Sequence, residues 1–130
     1  MRIRWIALGA VAVAVALVGA CSTSRAMVDE GDNGNSVRVG IGQVLEVRVP
    51  SNPSTGYSWQ VVDVPDFLAF DETVEFESDA GPDVVGAGGT EVLKFTVEGD
   101  GTGTLRLEYL RPWEADTPAI EVYEIEVTAR

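Results

Sequence analysis

Residues 104–109 read TLRLEY, and every second side chain, at Leu105, Leu107 and Tyr109, is apolar. The intervening positions are polar, so a β-strand here would present one face to a core and one face to water. The same two-residue period recurs on both sides of this segment. The apolar members of these segments are Val37/Val39, Leu45/Val47/Val49, Tyr57/Trp59/Val61, Leu93/Phe95/Val97 and Tyr123/Ile125/Val127. A less regular segment over residues 67–77 has Phe70, Val74 and Phe76.

The spacing of these segments predicts the class of fold. Seven or eight short strands, separated by Gly, Pro, Asp and Asn, fill about a hundred residues, and no run has the period of an amphipathic helix. We therefore expect an all-β domain over residues 36–130, an immunoglobulin-like antiparallel β-sandwich of about seven to eight strands. A small barrel fits the same pattern, and the periodicity alone leaves the topology open.

The N-terminal segment predicts export. Arg2 and Arg4 precede an apolar run over residues 5–20, which is short and rich in Ala and Val, as in a secretory signal peptide. The run ends in Val18-Gly19-Ala20-Cys21, which resembles the lipobox of bacterial lipoproteins. We expect residues 1–20 to be a lipoprotein signal peptide and Cys21 to be lipidated on the extracytoplasmic face of the bacterial cell membrane. Residues 21–35 would then be the lipidated cysteine and a flexible tether; an ordinary signal peptide cut near Ala20 is the alternative.

Composition excludes several kinds of chemistry. The chain has no His, and its one Cys is Cys21, so neither a Ser–His–Asp or Cys–His arrangement nor a His/Cys zinc site can form. We expect no enzymatic activity, no metal and no cofactor. Without residues 1–20 the chain keeps seven cationic and 21 acidic side chains, a net charge of −14, which argues against nucleic-acid binding.

Three segments between predicted strands carry residue types that are common in interfaces. Residues 50–59 read PSNPSTGYSW, residues 86–90 read GAGGT, and residues 111–113 read RPW. The first predicts a stiff, narrow loop, in which Pro53 restricts the backbone, the Asn52 side chain bonds nearby backbone and Gly56 takes a positive φ. The second exposes bare backbone, and the third places a Trp beyond a strand end. Taken singly, they also fit an ordinary turn, a linker and a Trp that caps the sandwich.

Together and in this order, the three segments resemble the motifs of the chagasin family of cysteine-peptidase inhibitors. The resemblance implies an immunoglobulin-like sandwich whose three loops block the active-site cleft of papain-like cysteine peptidases reversibly and without a covalent bond. It places a wedge in the cleft, with Thr55 near its tip, backbone along one side and a Trp on the other. The implied peptidase-binding residues are Asn52, Pro53, Ser54, Thr55, Gly56, Tyr57, Gly86, Gly88, Gly89, Thr90, Arg111, Pro112 and Trp113.

The first motif departs from the family at Ser54, where Thr is commoner, and the lost methyl group predicts a modest effect on affinity. We expect a monomer. The alternative function is a non-inhibitory cell-surface adhesion or ligand-binding domain that uses the same loops. An enzyme working through carboxylates alone would need two facing acids, and the candidate loops hold acids only at their fringes, at Asp83, Glu91 and Glu114.

Overall fold

The computed structural model describes residues 24–81 and 86–130, and eight β-strands make up most of them. Two short 3₁₀ turns, Glu30–Asp32 and Pro53–Thr55, interrupt the strands. In these residues no helix is long and apolar enough to span a membrane. The strands are β1 Arg25–Asp29, β2 Ser36–Val39, β3 Val44–Ser51, β4 Ser58–Asp63, β5 Leu68–Ser78, β6 Gly89–Val97, β7 Gly101–Leu110 and β8 Glu121–Ala129.

The strands form two four-stranded sheets, so the predicted sandwich is confirmed. The first sheet has the order β1-β3-β6-β5 and the second the order β2-β8-β7-β4. The prediction that all pairs are antiparallel is wrong, because β1 pairs with β3 and β2 with β8 in parallel. These partners are not joined by a hairpin: β2 separates β1 from β3 in the chain and lies in the other sheet, which leaves β1 and β3 free to run the same way.

The predicted tether is wrong for residues 25–35, which are part of the folded domain. Val28 in β1 is buried in the core, and the Tyr123 hydroxyl donates a 2.7 Å hydrogen bond to the Asp29 carbonyl, which links the two sheets. Asn33 donates to the Val122 carbonyl at 3.0 Å from its side chain. A single buried Val in a polar segment has no periodicity to detect. Residues 1–23, and with them the predicted signal peptide and Cys21, lie outside the described residues.

The core lies between the sheets and is built from the alternating apolar positions. Burial in this core raises the pKa of the Tyr123 hydroxyl, and the nearby carboxylates of Asp32 and Asp29 act in the same direction. The most deeply buried side chains are those of Tyr123, Phe95, Leu45, Leu93, Leu105, Leu107, Ile125, Val47, Val49, Val92, Val97 and Val127.

Strand direction sorts the connections into two groups at opposite ends of the sandwich. β3, β5 and β7 end where β4, β6 and β8 begin, so the connections 52–57, 79–88 and 111–120 lie at one end, here called the loop end. The turns 40–43, 64–67 and 98–100 lie at the other end, here called the base. All three sequence motifs therefore lie at the loop end.

Candidate functional site

Loop 1 (residues 52–57) is held in shape by hydrogen bonds within itself. The Asn52 side-chain oxygen accepts hydrogen bonds from the Ser54 backbone N–H at 3.3 Å and from the Ser54 hydroxyl at 2.6 Å. The Thr55 hydroxyl donates to the Asn52 carbonyl at 2.6 Å. Gly56 ends the 3₁₀ turn with a φ of 83°. Both predictions for this loop, the Asn52 side-chain bond and the positive φ at Gly56, are confirmed.

The tip of loop 1 is the 3₁₀ turn Pro53–Thr55, in which all three residues are exposed. Asn52 at its start and Gly56 at its end are half-buried. A proline at the first position of this turn fixes a backbone angle that the turn requires, so less conformational freedom is left for a partner to remove. Loop 1 is thus a narrow, exposed projection whose two ends are held firmly.

Loop 2 (residues 79–88) contacts loop 1 through a side chain of the first motif. The Asn52 side-chain amide donates to the Gly86 carbonyl at 3.3 Å. Gly86 itself is exposed and has a φ of 82°, which a residue with a side chain rarely adopts. Residues 82–85 lie outside the described residues.

The second motif is only partly a loop. Gly89 and Thr90 belong to β6, and Gly88 is half-buried. The expectation that all three glycines expose their backbone is wrong for Gly89, which is buried. A side chain at Gly89 would collide with the Glu77 carbonyl of β5 and with the ring of Phe76. The sequence requires glycine there because β5 and Phe76 approach closely.

Loop 3 (residues 111–120) is joined to loop 1 by Arg111. The Arg111 guanidinium donates through Nε to the Thr55 carbonyl at 3.0 Å, and its carbon Cζ lies 4.5 Å from the centre of the Tyr57 ring. The same guanidinium forms an ion pair with Glu114 at 3.1 Å. The structure thus places Arg111 between the loops, in contact with both a carboxylate and the first motif.

Trp113 is the most exposed large apolar side chain of the described residues, with 68% of its surface accessible. One edge of its ring lies against Gly56, so close that a side chain at position 56 would overlap it. The ring therefore rests on loop 1 while leaving most of its surface free. Pro112 beside it is also exposed.

A column of four aromatic rings in contact supports these loops from inside the sandwich. Tyr57 lies 5.4 Å from Tyr109, Tyr109 lies 4.9 Å from Trp59, and Trp59 meets Tyr123 edge-on at 6.5 Å. The Asn52 backbone N–H donates to the Tyr109 hydroxyl at 2.9 Å, and the Trp59 indole donates to the Pro50 carbonyl at 2.9 Å. The ring column fixes both ends of loop 1 to the core.

One further residue that sequence reasoning left at the fringe also supports loop 1. Glu91 in β6 faces the inside of the sandwich, is only 7% exposed, and accepts a hydrogen bond from the Trp59 backbone N–H at 3.3 Å. Because β4 is an edge strand, this N–H has no neighbouring strand on that side to bond. An acid at an inward position of a strand pattern is the signal that could have identified Glu91.

The loop end is acidic. The connections there and the segment that follows β1 contain one cationic residue by sequence, Arg111. The acidic residues that the structure describes in these segments, all exposed or half-buried, are Glu30, Asp32, Asp79, Glu114 and Asp116. A surface of this sign attracts a cationic partner surface over long range.

Comparison with known proteins agrees with this architecture. Chagasin from Trypanosoma cruzi is 34% identical over 109 residues, which cover 78% of this chain and 96% of that protein. Amoebiasin-1 from Entamoeba histolytica is 38% identical over 85 residues, 65% of this chain and 80% of that protein.

Two solved structures share the fold. The cysteine protease inhibitor EhICP2 from Entamoeba histolytica superposes with a TM-score of 0.71 at 21% identity, over 82% of this chain and 96% of that chain. PbICP-C, solved in complex with falcipain-2, superposes with a TM-score of 0.52 at 17% identity, over 83% of this chain and 91% of that chain. The model of the chagasin family of peptidase inhibitors matches residues 38–127, a range that contains all three motif segments. The chain belongs to the chagasin family of peptidase inhibitors.

Proposed function

We propose that this protein is a reversible, non-covalent inhibitor of papain-like cysteine peptidases, and that its three loops at the loop end fill the active-site cleft. The observation that carries the proposal is the joining of the three motif segments. The Asn52 amide bonds Gly86 in loop 2, and the Arg111 guanidinium bonds Thr55 in loop 1. One surface therefore presents the exposed turn Pro53–Thr55, the exposed backbone at Gly86 and the exposed ring of Trp113.

The hydrogen bonds of loop 1 explain why a peptidase would bind it without cutting it. The Asn52 carbonyl accepts from the Thr55 N–H at 3.1 Å, the Pro53 carbonyl accepts from the Gly56 N–H at 3.0 Å, and the Thr55 carbonyl accepts from Arg111. A scissile carbonyl must be free to enter an oxyanion hole. A compact 3₁₀ turn also differs from the extended strand in which peptides bind along an enzyme cleft.

Rigidity supports tight binding by the same loops. Immobilising one flexible side chain in an interface costs about 0.5–1.5 kcal/mol, and a loop that is already ordered avoids much of that cost. Here Asn52, Thr55 and Arg111 all make hydrogen bonds before any partner is present. The ring of Trp113 supplies the large apolar contact that often dominates binding energy.

The function is tested by titrating papain with the chain that begins at Ser22 and measuring cleavage of a fluorogenic peptide. The proposal predicts stoichiometric loss of activity that recovers when the complex is diluted. Correctly folded protein that fails to inhibit papain and a panel of cathepsin-like peptidases would contradict it. Binding of a glycan or another surface protein without inhibition would instead favour the adhesion-type alternative.

We also propose that the mature protein is an exported monomer, anchored through a lipid on Cys21 to the extracytoplasmic face of a bacterial cell membrane. The support is sequence alone: the Arg2/Arg4 charges, the apolar run 5–20 and the lipobox-like end at residues 18–21. The test is to express the full chain in a lipoprotein-processing bacterium with labelled palmitate. Label and membrane association that disappear in Cys21→Ser support the anchor, and an unlabelled soluble product contradicts it.

A further inference from the structure

The described part of the chain begins at the base of the sandwich, opposite the three loops. Arg25, the first residue of β1, pairs with Val44, the first residue of β3. The Ser24 carbonyl accepts from the Val44 N–H at 3.1 Å, and the Ser24 hydroxyl accepts from the Gln43 side chain at 2.6 Å. Since β3 ends at Ser51 and leads into loop 1, Ser24 is fixed at the far end from that loop.

The distance from Ser24 to a lipid on Cys21 is short. Only Ser22 and Thr23 lie between them in the sequence. Three residue steps reach at most about 11 Å even when fully extended. From this geometry we infer that the base of the sandwich stands on the membrane surface and that the three loops point away from it. The inference rests on the proposed lipid anchor.

The chemistry of the base suits a lipid interface. Ile41 in the turn 40–43 is 55% exposed, and Val64 after β4 is 42% exposed. The Ile41 N–H donates to the Arg130 carbonyl at 3.3 Å, which holds this apolar side chain beside a cationic residue. Apolar side chains flanked by arginine are favourable at the boundary between lipid headgroups and acyl chains.

Charge favours the same orientation. At the base, the positive charges of three exposed arginines offset most of the negative charge of four exposed acidic residues. The arginines are Arg25, Arg38 and Arg130, and the acidic residues are Asp63, Asp66, Glu98 and Asp100. In the connecting segments of the loop end, five described acidic residues accompany one cation, Arg111. An anionic leaflet therefore repels the loop end much more strongly than the base.

The height of the loops follows from strand length. β3 has eight residues. At about 3.3 Å per residue it spans about 26 Å from base to loop end. Loops 1, 2 and 3 would thus stand beyond the headgroup layer, where a peptidase in the surrounding fluid can reach them from above.

Depth-dependent fluorescence quenching tests the orientation. The mature acylated chain, reconstituted in phosphatidylglycerol/phosphatidylethanolamine vesicles that contain brominated acyl chains, carries an environment-sensitive dye on one introduced thiol. Val64→Cys places the dye at the base, and Ala115→Cys places it on exposed loop 3. The acylated Cys21 thioether does not react with the dye. We expect quenching at position 64 to exceed that at position 115 at least about twofold, because about 26 Å separates the two ends.

Equal quenching at both positions, or stronger quenching at 115, would overturn the orientation, as would a chain that does not associate with vesicles. Ile41→Ser should weaken quenching at position 64. The matched variant Ile120→Ser, which removes an equally exposed apolar side chain from loop 3, should leave that quenching unchanged. These readouts involve no peptidase, so failure of the inhibitor function leaves them interpretable.

Discussion

Replacement of Trp113 by alanine should weaken inhibition strongly and leave the fold intact. A tryptophan can bury up to about 250 Å² in an interface. Trp113 is 68% exposed, so about 170 Å² of its surface remains to be buried when a peptidase binds. Burial of that area contributes at most about 4 kcal/mol to the binding free energy at about 25 cal/mol per Å². Allowing for incomplete burial, we expect a loss of about 2–4 kcal/mol, or roughly a 30- to 900-fold increase in the inhibition constant.

The measurement is the inhibition constant against papain, together with the thermal unfolding midpoint of each variant. Ile41→Ala is the matched control, because Ile41 is 55% exposed and lies at the base. Both variants should unfold within a few degrees of the parent, and Ile41→Ala should inhibit as the parent does. If Trp113→Ala folds normally and inhibits with unchanged strength, the assignment of the loop end to peptidase binding is refuted.

Three other results are expected. Gly56→Ala should weaken inhibition at least about tenfold, because it strains a positive φ and displaces Trp113. The control is Gly42→Ala, since Gly42 at the base has a φ of 89° and open space around it. This control should lower the free energy of unfolding by a similar amount and leave the affinity for the peptidase unchanged. Glu91→Met should destabilise the fold by about 1–3 kcal/mol and weaken inhibition, because it leaves the Trp59 N–H unpaired. Glu91→Gln keeps an acceptor for that N–H and should behave as the parent in denaturant unfolding and inhibition assays. The association rate with a peptidase whose cleft rim is cationic should fall as NaCl is raised, because the acidic loop end steers the encounter; a salt-independent rate would contradict that role.

Local sequence rules predict most of this fold and the shape of loop 1. The alternating positions in β3, β6, β7 and β8 are buried on one face, as the period-two pattern requires. The turn chemistry of loop 1 is equally local, since the Asn52 bond and the φ of Gly56 involve residues within four positions of each other.

What the sequence could not predict is set by contacts between distant residues. β1 has one buried residue, Val28. Its place beside β3 depends on contacts of Ser24 and Arg25 with β3 and on the bond from Tyr123 in the other sheet to Asp29. Parallel pairing leaves no hairpin signal in the sequence. The burial of Gly89 likewise follows from β5, whose approach no local pattern records.

The functional residues divide in the same way. The exposed members, such as Trp113 and Thr55, lie in motifs that can be found by residue type and order. The residues that hold them, Tyr109 and Glu91, are ordinary strand positions by sequence and acquire their role when the two sheets meet. Arg111 belongs to both groups, because the motif identifies it and the structure shows that it joins loops 1 and 3.

In the proposed complex, loop 1 fills a peptidase cleft and stays bound without being cut. The decisive measurement incubates equimolar protein and papain for hours, then records papain activity after dilution and the intact mass of the protein. We predict full recovery of activity on dilution and an unchanged mass, because the carbonyls of Asn52, Pro53 and Thr55 are already hydrogen-bonded within the protein. Cleavage within residues 52–57, a covalent adduct, or full papain activity throughout would contradict it.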